Sequence, residues 1–114
     1  HAAEMAESSQ AGLTFHAAQI PTLAHSLDLA AKGLGGGSRD NQIFLESKVT
    51  IADGVDPSRA NLLFDAQTSG GLLMAVAADD ADALLGKLRQ NGVDSAALIG
   101  EVIRENPGQL LIKP

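Results

Sequence analysis

The feature that most restricts how this chain can fold is a polar turn held between two apolar runs. Leu62, Leu63 and Phe64 form the first run, Asp65 to Gly71 the turn, and Leu72 to Val76 the second run. The second run is short enough to be a strand buried on both faces. Within the turn, Gln67, Thr68 and Ser69 carry side-chain donors and acceptors. Gly70 and Gly71 can adopt positive φ and admit a close backbone approach. Such a turn suits a ligand-facing loop, and it equally suits an ordinary helix-to-strand connection.

The rest of the chain supplies enough apolar residues for a core. The 114 residues fit one domain, and 45% of them are hydrophobic. The three aromatics are all phenylalanine, so the core must be built from Leu, Ile, Val and Ala. A net charge of −6 argues against non-specific nucleic-acid binding, which needs cations to neutralise phosphates. The lack of Tyr and Trp removes the best stacking platforms for single strands. Without cysteine there can be no disulfide, thiolate nucleophile or zinc–cysteine site, which fits a cytoplasmic protein. No apolar run approaches the ~20 residues of a membrane span, and no segment reads as a signal peptide.

Taken in order, His1–Gln10 reads as a helix stopped by Gly12, beginning on His1 without a capping residue. A start of this kind, with no initiator Met, predicts that the natural protein continues upstream. Leu13–Ala17 alternates, which predicts a half-buried strand whose other face carries Thr14 and His16, with His16 on the solvent side or at an edge. Thr22 can cap a helix with Leu23, Leu27, Ala30 and Ala31 on one stripe, closed by Gly33, with His25 exposed on it. Gly33–Ser38 reads as a mobile connection or as a phosphate cradle ahead of a helix capped by Ser38 and running to about Ser47. It is neither a P-loop nor a dinucleotide fingerprint, because the lysine and the glycine spacing are wrong.

Val49–Ile51 is a strand candidate, and Asp53–Asp56 is a solvated turn without the calcium-loop pattern. Asp56-Pro57 reads as a helix start. Asp79 or Asp80 caps a helix that buries Ala81, Leu84, Leu85 and Leu88 and stops at Asn91-Gly92. Its acidic start and its Lys87 and Arg89 near the end suit the helix dipole. Ala96–Ile103 and Leu110–Ile112 read as strands joined in a hairpin through Asn106-Pro107-Gly108. The whole reads as a mixed α/β arrangement of the α+β type. One β-α-β stretch, from Leu72–Val76 through the helix to Ala96–Ile103, allows a parallel pair. The strand order is not legible.

The uninterrupted run Asp65-Ala66-Gln67-Thr68-Ser69-Gly70-Gly71-Leu72-Leu73 resembles the signature of the C-terminal domain of selenophosphate synthetases. Three further segments are similar to that family: Gly36-Gly37-Ser38-Arg39-Asp40-Asn41, Ile99-Gly100-Glu101-Val102, and the opening His1–Met5 helix. Asp40 stands where a basic or small residue is more usual. The resemblance implies a mixed sheet with helices packed on it, as in the C-terminal domains shared with aminoimidazole ribonucleotide synthetase. It implies a single domain, residues 1–114, cut from a two-domain enzyme that makes selenophosphate, AMP and phosphate from ATP, selenide and water. The family's Asp-Val-Thr-Gly-Phe-Gly segment, catalytic Cys or selenocysteine, lysine and metal carboxylates lie upstream and have no counterpart here.

The fragment alone is therefore expected to be inactive, with no catalytic or metal-binding residue. ATP and magnesium would belong to the full-length enzyme and not to this fragment. The partners implied are its own missing N-terminal domain and a second copy in a homodimer, with neither nucleic acid nor membrane. Gln67, Thr68, Ser69, Gly70 and Gly71, then Ser38 and Asn41, are the candidates to line a cleft. A truncated half should also expose an apolar face. Two alternatives stay open. One is a related ATP-using synthase or kinase of the same superfamily; the other is a stand-alone binding module.

Overall fold

The computed structural model describes residues 1–33 and 35–114. Among the described residues, five helices and four strands run in the order α1 (Ala2–Ser9), β1 (Gly12–His16), α2 (Ser26–Ala30), α3 (Gly36–Leu45), β2 (Val49–Ile51), α4 (Pro57–Leu62), α5 (Ala78–Gln90), β3 (Gly100–Ile103) and β4 (Leu110–Lys113). A short 3₁₀ turn, Ala17–Gln19, follows β1. The strands form one mixed sheet in the order β2-β4-β1-β3. This is the α/β class that the chain's pattern predicts.

Alternating apolar residues put one face of the sheet into the core. Leu13 and Phe15 of β1 stand beside Leu110 and Ile112 of the parallel strand β4. These four residues, with Ala3, Ala6 and Ala17, form the buried cluster. Ala3 and Ala6 lie three apart, hence on one face of α1, and their small side chains let the helix lie close to the sheet. Val49, Leu45 and Leu63 pack on the cluster from β2, α3 and the C-cap of α4.

The topology departs from the sequence reading at the C-terminus. The expected β3–β4 hairpin is absent, because β3 pairs antiparallel with β1 on one side while β4 pairs parallel with it on the other. The connection between them must therefore cross the start of β1. It does so against the backbone: the Gly108 N–H bonds the Ala11 carbonyl at 2.9 Å, and the Leu13 N–H bonds the Gln109 carbonyl at 3.0 Å. A Cβ on Gly12 would collide with the Glu105 carbonyl oxygen, so only glycine admits this crossing. Gly100 is constrained in the same way, because a Cβ there would strike the Thr14 carbonyl oxygen. Asn106 and Gly108 take the positive φ values, 50° and 75°, that the turn requires.

Other local expectations change for identifiable reasons. Thr14 is 1% exposed and not solvent-facing, so both faces of β1, a strand with neighbours on both sides, are covered. His16 is half-buried at the end of the same central strand, so it is not an edge residue. Helix α1 is stopped by Gln10 in the left-handed region (φ 52°), which leaves Gly12 free to open β1. Helix α2 starts only at Ser26, after His25 at φ 64°, so Leu23 lies outside it and is 83% exposed. Helix α5 has Ala77 at its N-cap, and Asp79 and Asp80 stand in its first turn.

The strand read at Leu72–Val76 does not form. The segment has no ladder partner among the described residues, and Leu72 is 84% exposed. The proposed β-α-β pair is lost with it. The reading of Gly33–Ser38 as mobile includes Leu34, which lies outside the described residues. No helix is long and apolar enough to cross a membrane among those residues.

Two glycine substitutions separate close approach from mere looseness. Gly12→Ala and Gly100→Ala each push a methyl into backbone, and each should cost about 3 kcal/mol in urea unfolding. Gly71→Ala, with nothing within 4 Å of its new Cβ, should stay within about 0.5 kcal/mol of the parent.

Candidate functional site

The two motifs singled out in the sequence meet in the structure. Asp56 begins the approach as the N-cap of α4, accepting the Arg59 N–H at 3.0 Å, with Pro57 in the first turn. Arg59 then ties this helix to the corner after β1. Its guanidinium donates to the carbonyls of Ala17 at 2.9 Å and Ile20 at 3.4 Å. Asn61 donates to the Ala30 carbonyl at the end of α2, at 3.3 Å. Helix α4 thus leaves the core in a fixed direction and delivers Phe64, which is buried, to the head of the turn.

Helix α3 grips the next three residues. Its N-cap is Gly35, so Ser38 falls in the first turn and is not the cap. The Ser38 hydroxyl is turned away from its own helix. It donates to Asp65 Oδ1 at 3.2 Å and accepts the Ala66 N–H at 3.3 Å. One turn further on, Asn41 Nδ2 donates to the Phe64 carbonyl at 3.1 Å. Gly37 permits this approach, because a Cβ there would stand 3.0 Å from Ala66 Cβ.

Gln67, Thr68, Ser69, Gly70 and Gly71 follow this anchored entry, and all five are exposed. No side-chain hydrogen bond joins Gln67, Thr68 or Ser69 to another described residue. Gly70 and Gly71 are not among the positive-φ glycines, so the turn makes no use of their left-handed freedom. Two shallow hollows, of about 250 and 270 Å³, contain none of these five residues. The second is apolar in part and lies between α3 and the β2 edge, where Ile43, Val49, Ile51 and Phe64 line it.

The structure therefore brings Ser38 and Asn41 to the turn's entry, where both side chains are engaged, and leaves Gln67–Gly71 as the free polar surface. Chemically, that surface offers an amide, two hydroxyls and backbone groups as hydrogen-bond partners. It holds no acid–base pair. No group of three or more His, Asp or Glu converges as a metal site among the described residues. Sequence reasoning missed the roles of Asp65, Gly37, Arg59 and Asn61. Their partners lie 27 or more residues away in the chain, so no local spacing carries the signal.

Comparison with known proteins covers almost the whole chain. Residues 1–113 match the family described as AIR synthase related protein, C-terminal domain. A selenide, water dikinase of Pelobacter propionicus is 38% identical over 114 residues, 99% of this chain and 33% of that protein. One of Nitratidesulfovibrio vulgaris is 39% identical over 109 residues, covering 95% of this chain and 31% of its own. One of Burkholderia orbicola is 39% identical over 104 residues, 90% and 29% respectively. The chain spans about a third of the length of these curated relatives.

The grip of α3 on the turn entry is open to a paired test. Asn41→Ala removes a donor from the Phe64 carbonyl and should cost about 1–2 kcal/mol. Asn41→Asp replaces the donor with a carboxylate facing a carbonyl and should cost more, by roughly a further 1 kcal/mol at neutral pH. Urea titrations at matched pH would read the order, and an Asn41→Asp variant as stable as Asn41→Ala would contradict the assigned bond.

Proposed function

The chain belongs to the AIR synthase related proteins, of which it is a C-terminal domain, and on that premise we propose that it is the C-terminal part of a selenophosphate synthetase. The complete protein would make selenophosphate, AMP and phosphate from ATP, selenide and water. The observation that carries this reading is the unbroken Asp65–Leu73 string, joined to relatives that bear the name selenide, water dikinase along nearly the full length of this chain.

The division of labour follows from the side chains present. Phosphoryl transfer needs carboxylates around a metal and cations around the phosphates. The carboxylates of this chain do not converge in that way among the described residues, so no chemical step is assigned to them. ATP and magnesium would be held by the preceding N-terminal domain. This chain would act as scaffold, with Gln67–Gly71 facing that domain across a cleft. The exposure of all five turn residues fits such a shared cleft. Exposed apolar side chains, among them Phe44 at 76% and Leu72 at 84%, fit a surface that a larger assembly covers. The complete enzyme would be cytoplasmic and a homodimer, and would engage neither nucleic acid nor membrane.

Two measurements test the proposal. Calorimetry of the 114-residue chain with ATP and magnesium should give no heat of binding, and micromolar affinity would place the nucleotide site here. The gene upstream of His1, expressed together with this domain, should yield selenide-dependent AMP formation. An upstream frame that lacks an Asp-Val-Thr-Gly-Phe-Gly segment, or a full-length product that forms no AMP with selenide, would reject the assignment.

A further inference from the structure

We propose that Ser38 is a positioning residue for the Gln67–Gly71 turn, acting through Asp65 and Ala66 and not by contact with ligand. This rests on the reading that the turn faces the reacting groups of the complete enzyme. Four observations carry it. Ser38 is 7% exposed, and among the described residues it is one of two buried polar residues; the other, Thr14, lies within the sheet. Its hydroxyl both donates to Asp65 and accepts from Ala66 N–H, so one oxygen fixes a side chain and a backbone amide together. Gly37 and Asn41 flank it on α3 and meet Ala66 and the Phe64 carbonyl respectively, so three consecutive residues are tied to one helix. Immediately beyond Ala66, the side chains make no such ties among the described residues.

The orientation of that hydroxyl is informative. A serine in the first turn of a helix ordinarily serves the helix's own backbone. Here Gly35 occupies the cap position, and the hydroxyl crosses to a segment 27 residues away. Burial makes the arrangement demanding on the serine side, because loss of its acceptor would leave the Ser38 hydroxyl donor unsatisfied away from water. The turn would therefore present Gln67, Thr68 and Ser69 from a fixed starting point at Ala66. Loss of the hydroxyl would let that starting point wander without removing any ligand-facing atom.

Amide hydrogen exchange followed by NMR on the ¹⁵N-labelled chain tests the tie directly. In Ser38→Ala the Ala66 amide should exchange at least about tenfold faster, while the Leu13 and Ala52 amides, bonded within the sheet region, keep their rates. Asp65→Ala, which leaves the buried position intact, should also speed Ala66, whereas Asp65→Asn keeps an acceptor oxygen and should stay within about twofold of the parent. If Ser38→Ala does not fold, the Asp65 pair decides. Unchanged Ala66 exchange in Asp65→Ala, or equal acceleration in both Asp65 variants, would overturn the tie. In the full-length protein, Ser38→Ala should lower kcat for AMP formation at least about tenfold with little change in KM for ATP. Normal kcat beside faster Ala66 exchange would reduce the tie to a purely structural role. A wild-type full-length protein without selenide-dependent activity would reject the functional reading while the exchange data still judge the tie.

Discussion

The crossing of the β3–β4 connection over Gly12 is the constraint on which the rest of the fold depends. It places an antiparallel neighbour on one side of β1 and a parallel neighbour on the other. That makes β1 a central strand, and Leu13, Thr14 and Phe15 along it are all buried. The crossing is possible only where two backbones can touch, which is why the close contacts fall on glycine and why a methyl there would meet main-chain atoms. From this strand a chain of polar ties leads outward. Arg59 fixes α4 to the carbonyls that follow β1, and α3 fixes the residues that follow α4. The exposed turn is thus referenced to the sheet through hydrogen bonds as well as apolar contact.

Signals that act over a few residues were legible. Asp56-Pro57 capped its helix, Lys87 and Arg89 fell in the last turn of α5, Asn91-Gly92 ended that helix, and Asn106-Pro107-Gly108 formed a turn. What such signals do not carry is the identity of the next neighbour in space. The Asn106–Gly108 turn has the residues of a reversal, yet the strand it releases finds the far side of β1, because turn chemistry sets local dihedrals and not strand order. The alternation in Leu13–Ala17 separated two faces but could not say that both would be covered. Leu72–Val76 has the apolar content of a strand, but a strand also needs a ladder, and the partner is a property of the fold and not of the segment.

The candidate site shows the same division at a finer scale. Its string, Asp65–Leu73, is visible at once, and so is the Gly36–Asn41 pattern. That the two form one unit is not, because the hydrogen bonds joining them span 27 and 28 residues and depend on Gly37 admitting Ala66. Ser38 was legible as a helix-start residue, and the structure keeps it in the first turn. Its hydroxyl, however, goes to a distant partner, since Gly35 already occupies the cap. Whole-chain contacts decide the use of a residue whose type suggests only its options.

The two ends of the polar turn are held by different forces. At its entry, Phe64, Asp65 and Ala66 are bound by directional hydrogen bonds to α3. At its exit, Leu73 is the one residue of the Leu72–Val76 run that is half-buried and packs on the core cluster, while Leu72, Met74 and Val76 lie open. Hydrophobic contact is non-directional and scales with the area removed from water, so this exit is held in position more loosely than the entry. A surface that covered the open side chains would stabilise the exit by about 25 cal/mol for each Å² of apolar area buried. It would also supply the missing ladder if it presented an extended edge. Both ends of Gln67–Gly71 would then be fixed. Covering the exit and ordering the turn would then be one event, because the same residues take part in both.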